Sequence, residues 1–164
     1  MRYLLRQKIL SWGDDFTIRD ESGRDWYQVK GKVFSFGDQL SFRDMQGNEL
    51  AYIKQKLLAW GPTYEIHRDG VLVAVVKREL FSFLHHRFTV DVPGPDDLEA
   101  EGSLTDHEYE MRRGDLVVAT VSKRWFSWSD TYGIEVAEGE DDVLVLASAV
   151  VIDMACHPDA NGRH

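Results

Sequence analysis

The chain has 164 residues, 43% of them hydrophobic and 29% charged, which is ordinary for one soluble globular domain with a proper core. A net charge of −9 argues against non-specific binding to DNA or RNA, so no nucleic-acid partner is expected. Cys156 is the single cysteine and Met1–Lys8 has no apolar stretch of signal-peptide length, which rules out an internal disulfide and points to a reducing, cytoplasmic setting.

In chain order, strands are predicted at roughly 3–10, 14–20, 25–36, 39–44, 49–60, 63–68, 71–83, 86–92, 97–103, 107–112, 115–127 and 131–136. They come as repeated units with a period of 24 residues: Phe16, Leu40, Tyr64 and Phe88 are equivalent, as are Ile18, Phe42, Ile66 and Val90. Each unit opens with a short strand alternating apolar and polar residues, Phe16-Thr17-Ile18-Arg19 in the first. A turn with glycine follows, at Gly23, Gly47 and Gly70, where a hairpin needs positive φ. A longer strand rich in Val, Ile, Tyr and Trp completes the unit. Short turns make neighbours antiparallel, and about twelve consecutive strands leave two exposed edges unless the sheet closes. The expected fold is therefore all-β, a closed antiparallel barrel of about 12 strands. A propeller fits less well, because its blades take four strands per repeat and here each repeat supplies two.

The last element breaks the pattern. Val143 to Ile152 is apolar on every side, with Asp141-Asp142 ahead of it to cap a helix and Pro158 behind to stop it. It is too short to span a bilayer, which takes about 20 apolar residues. A twelve-stranded barrel is too wide for its own side chains to fill, so a hydrophobic helix at about 141–156 is expected inside it. A thirteenth strand is the alternative reading of the same apolar run. The whole reads as one domain, 1–157, with a polar, flexible tail at 158–164.

Strand pairs of the form apolar-x-apolar-x-Asp-x-x-Gly, followed by a long strand with Lys near its end and a C-terminal apolar helix closing on Asp, resemble the LURP-one-related family. The residues that carry the likeness are Phe16 to Asp20 with Gly23 and Lys30, Leu40 to Asp44 with Gly47 and Lys54, and Val143 to Asp153; it spans about residues 3 to 156. The resemblance implies a tubby C-terminal-like fold shared with phospholipid scramblases, a twelve-stranded barrel around a central helix. It also implies work at membranes: tubby domains bind phosphoinositide head groups, and scramblases act there in a calcium-linked way.

The recurring cations are the candidate ligand-binding feature. Lys30, Lys54 and Lys77 each fall seven residues after the turn glycine of their unit, and Lys32 and Lys56 sit two further on, on the same strand face. Arg78, Lys123 and Arg124 occupy similar places in later units, although the cations after Gly114 begin nine residues on. Side by side, these residues would form a basic band able to take a phosphate or an anionic lipid head group. The plainer reading is an outward strand face that keeps the protein soluble. Trp12, Phe34, Phe36, Trp60, Phe81, Phe83, Trp125, Phe126 and Trp128 recur near ends of long strands, where they could close the barrel or dip into a membrane interface.

No catalytic motif is present. The six histidines show no metal-ligand spacing, and Cys156 reads as packing rather than a nucleophile. Asp153, in the last turn of the helix, opposes the dipole, needs a partner such as an Arg or a backbone donor, and is expected to latch the helix at a set depth. The expected function is thus a non-enzymatic binding module without cofactor or metal. Its ligand would be an anion such as a phospholipid head group, bound peripherally at a membrane; a soluble protein-interaction scaffold is the alternative. The oligomeric state is open.

Overall fold

The computed structural model describes residues 1–6, 15–31, 37, 39–57, 59, 61–79, 87–125 and 131–156. They form twelve strands and one helix: β1 (Arg2–Arg6), β2 (Phe16–Asp20), β3 (Asp25–Gly31), β4 (Gln39–Asp44), β5 (Glu49–Gln55), β6 (Thr63–Arg68), β7 (Val71–Arg78), β8 (Arg87–Asp91), β9 (Leu98–Ser103), β10 (Glu108–Arg113), β11 (Leu116–Ser122), β12 (Thr131–Val136) and α1 (Asp142–Cys156). Every strand pairs antiparallel with its sequence neighbours, and β1 pairs with β12 to close the barrel. The predicted closed barrel with one C-terminal helix is what the chain forms. β5 and β11 end short of the predicted 60 and 127, since Lys56, Leu57 and Lys123 to Trp125 have already left the ladder. The predicted strand ends at 7–10 and 32–36, and the tail at 158–164, lie outside the described residues.

The repeat is visible in the turns. Asp20 accepts hydrogen bonds from the Ser22 amide (2.9 Å) and hydroxyl (2.6 Å), the Arg24 amide (3.1 Å) and the Trp26 indole (2.8 Å). Asp44 does the same for the amides of Gln46 and Asn48, each at 2.9 Å. In both turns the glycine, Gly23 or Gly47, takes the left-handed conformation that lets the strand reverse.

The repeat also sets the barrel's shear. The cross-strand row through Lys30 passes Ser41 and Tyr52 and has descended to Leu72, at the start of β7. Lys54 lies two residues above that row on β5, and Lys77 lies two above the row of Lys54. Two strands across (about 9.6 Å) and two residues along (about 6.6 Å) correspond to a strand tilt of about 35°, within the range of closed barrels. Equivalent positions of successive units therefore keep one height on the barrel wall.

Alternate residues of the strands, among them Ile18, Val29, Phe42, Ile53, Ile66, Val76, Val90 and Ile134, point inward and are buried. They close on α1, whose residues Val145 to Ala155 are all buried. Val and Ile at these positions would also suit a strand, and environment decides between the two. With all twelve strands already paired, a thirteenth inside the lumen would leave its backbone groups without partners, whereas a helix satisfies its own. Even Ser148, fully buried, is satisfied by donating to the Leu144 carbonyl at 2.8 Å.

Candidate functional site

The inward helix and the outward strand faces place the candidate residues in two different environments. On the outer wall Lys30 is half-buried and Lys54 and Lys56 are exposed. Among the described residues none of these three lysines is in an ion pair. Lys77 is committed elsewhere: its ammonium lies 2.8 Å from Asp91, whose hydrogen bond and charge hold the lysine above its ordinary pKa. Glu65, directly across from Lys54 in the ladder, faces His67 at 3.7 Å.

Arg78 is not on this face. Ala74 and Val76 are buried on β7, and the two-residue alternation puts Arg78 on their inward side, where its charge reaches Cys156. It sits near the C-terminal end of α1, where a cation complements the helix dipole. Lys123 and Arg124 follow β11 and are organised by Glu108, which accepts from the Lys123 amide at 3.0 Å and the Ser122 hydroxyl at 2.8 Å. Arg124 stays open to solvent, 4.0 Å from the same carboxylate. Lys32 lies outside the described residues, as do Trp12, Phe34, Phe36, Trp60, Phe81, Phe83, Phe126 and Trp128. Trp125 is half-buried with the Arg2 guanidinium stacked 4.2 Å over its ring.

The second cluster is internal. Asp153 is buried in the last turn of α1 and pairs with the Nε2 atom of His107, itself buried in the short turn between β9 and β10. A histidine is thus a partner of Asp153, a residue type not named among the expected ones. His107 takes a left-handed φ of 54°, and its ring stacks on Tyr132 at 4.1 Å between centroids. Burial, with the Asp153 charge behind it, drives the hydroxyls of Tyr109 and Tyr132 well above the usual phenol range. Burial also pushes the Cys156 thiol up to about 11, with Arg78 acting weakly against it, so the thiolate is scarce at neutral pH.

The opposite end of the helix is clamped by acids. Asp141 caps the helix by accepting from the Leu144 amide at 3.1 Å, and Arg68 of β6 grips the same carboxylate with two bonds of 2.7 Å. Burial works to raise the Asp141 carboxyl, but Arg68 and the helix amides outweigh it and hold it below the usual range. Glu140 is held by Arg113 at 3.0 and 2.9 Å, and the buried Tyr3 hydroxyl donates to Asp142. The Asp141 cap was expected, whereas the grips of Arg68, Arg113 and Tyr3 were not, yet one of these leaves a mark in the sequence. Arg68 stands where the repeat has Asp20 and Asp44, so at this position a turn acid has given way to a cation that holds the helix.

Among the described residues, no group of His, Cys, Asp and Glu side chains converges as a metal site, and no helix is long and apolar enough to cross a membrane. A closed twelve-strand barrel threaded by its own C-terminal helix, with cations on the wall and a sealed polar cluster at the helix end, defines the class of protein. Residues 1–153 match the profile of the LURP-one-related family, and the chain belongs to that family. It is 34% identical over 155 residues to the uncharacterized protein YxjI of Bacillus subtilis (strain 168), covering 94% of this chain and 93% of that one. The X-ray structure of an Arabidopsis thaliana protein superposes with a TM-score of 0.64 at 19% identity, over 92% of this chain and 88% of that one, a likeness of fold.

Proposed function

We propose that this protein is a non-enzymatic binding module that takes an anionic ligand, such as a phospholipid head group, on its outer wall at Lys30, Lys54 and Lys56. The observation that carries the reading is the barrel's shear, which sets Lys30 and Lys54 at one height two strands apart, with no carboxylate paired to them among the described residues. Lys77 belongs to the same level but is occupied by Asp91, and Arg78 faces inward, so the band narrows to its β3–β5 stretch. The filled lumen supports binding over catalysis, since α1 occupies the space where an internal substrate would lie. Co-sedimentation with vesicles of neutral lipid, of neutral lipid plus phosphatidylserine, and of neutral lipid plus a phosphoinositide tests the reading. Pelleting with the anionic vesicles that declines as salt rises supports it; equal, negligible pelleting with all three at low salt refutes it.

A protein-interaction scaffold is the second reading. Its support is the exposure of Val71, Leu72 and Leu116 at the tips of two hairpins on the rim that carries Asp69, Asp115 and Asp141. Exposed apolar hairpin tips on a rim that also carries acids suit a basic amphipathic segment of a protein partner. Stoichiometric capture of such a partner, lost on Val71→Asp, would favour it.

A further inference from the structure

One apolar side chain stands on the basic stretch itself, and neither reading above uses it. Leu57 follows directly on Lys56 past the end of β5 and is 57% exposed. The other large apolar residues exposed among those described, Met1, Met45, Val71, Leu72 and Leu116, all belong to the rim at which α1 begins. Leu57 is at the opposite rim. It is seated rather than loose. A Cβ on Gly37 would stand 2.8 Å from Leu57 Cδ2, so the leucine lies against bare glycine backbone, at a φ of +83°. The Lys56 amide still donates to the Thr63 carbonyl at 2.8 Å, which ties the chain to β6 one residue before Leu57.

We infer that Leu57 is an apolar anchor that enters the acyl boundary of an anionic bilayer while Lys54 and Lys56 hold its head groups, so that the ligand of this wall is a membrane surface rather than a free anion. The inference rests on the basic-wall reading above and narrows it. A free phosphate or a soluble head group would take the lysines and gain nothing from an exposed leucine beside them. A bilayer offers both phases at one place. Its head groups attract each nearby lysine, and hydrocarbon begins about 5–10 Å further in, where an apolar side chain leaves water. The order of residues fits that layering: Lys54 lies within the ladder, Lys56 just beyond it, and Leu57 follows. Charge also selects the rim. Val71, Leu72 and Leu116 are as apolar, but they share their rim with Asp69 and Asp115, which an anionic surface repels.

Co-sedimentation of the full chain with vesicles of neutral lipid plus phosphatidylserine, across a salt series, separates the two contributions, since salt screens the lysines and leaves the anchor untouched. Leu57→Ser keeps every charge and is expected to weaken binding about fivefold to tenfold at each salt concentration, with the salt slope unchanged. Leu57→Phe, with the larger apolar side chain, is expected to tighten binding and supplies the readout should the serine variant misfold. Val71→Ser on the opposite rim is expected to bind as wild type does. Equal pelleting of the wild type and both Leu57 variants overturns the anchor and leaves the lysine site standing. A loss with Val71→Ser as large as that with Leu57→Ser overturns it too, because the basic rim is then not the one that meets the lipid. Failure of the wild type to pellet even at low salt removes the basic-wall reading itself, and this inference with it.

Discussion

Replacing Asp153 with alanine tests how the central helix is held. The substitution removes the carboxylate and leaves the His107 ring at 1% exposure, stacked on Tyr132 and out of reach of water. A hydrogen bond to a charged group contributes about 1.5–3 kcal/mol, and a buried partner left unsatisfied adds a desolvation cost of about 1–3 kcal/mol. Asp153→Ala is therefore expected to lose about 3 kcal/mol, which for a chain of this size lowers Tm by roughly 6–12 °C. Thermal melting by circular dichroism measures the shift. Removing Glu135, which pairs with Arg2 at 3.1 Å on the exposed wall, serves as control and should cost under about 1 kcal/mol. In the double variant with His107→Leu, the loss should be smaller than the sum of the single losses by about 1 kcal/mol or more, because the two groups answer to each other. A Tm for Asp153→Ala within about 1 °C of wild type, or strictly additive variants, would refute the reasoning.

Three further outcomes follow from the same geometry. Gly102→Ala should destabilise by about 1–3 kcal/mol: at a φ of +137° the new Cβ would stand 2.7 Å from the Glu108 carbonyl and 2.8 Å from the Tyr109 Cα, backbone that cannot step aside. Urea titration checks it. Asp20, held at about 2 by Ser22 and Trp26, and Asp141, also depressed, add stability that is complete above the unfolded carboxylate pKa of about 4 and is lost as the pH falls toward 2. Asp141→Asn should accordingly flatten the acid limb of a Tm-versus-pH curve. Tyr3, Tyr109 and Tyr132 are raised, so the sign reverses. Their contribution is complete below the unfolded phenol pKa of about 10 and is lost above it, and Tyr3→Phe should melt less steeply than wild type as alkali is added.

Much of the architecture was legible because it repeats. A 24-residue period with Asp and Gly at fixed offsets encodes one hairpin copied several times, and closure follows from the need to leave no edge. The helix was legible from the opposite signal, Val143 to Ile152 having no polar face at all. The candidate site was harder to read. Spacing after the turn glycine placed Lys30, Lys54 and Lys77 at one height, but could not show that Asp91 would occupy Lys77. Arg78 was grouped with Lys77 although adjacent strand residues face opposite ways, and it points inward. His107 gave no local sign, because its partner lies 46 residues away and only the closed barrel brings the two together. Arg68 did give one, as the cation that replaces a turn aspartate.

With α1 filling the lumen, the proposed ligand site lies on the outer wall at Lys30, Lys54 and Lys56. Amide chemical-shift mapping by NMR, with the full chain titrated against nanodiscs containing phosphatidylserine or a phosphoinositide, tests this most directly. Perturbations should cluster on β3, β5 and the intervening Gln39–Ser41 stretch of β4, and should vanish in Lys30→Glu/Lys54→Glu. Shifts concentrated instead on the inward residues Val150, Ile152 and their barrel neighbours would contradict it.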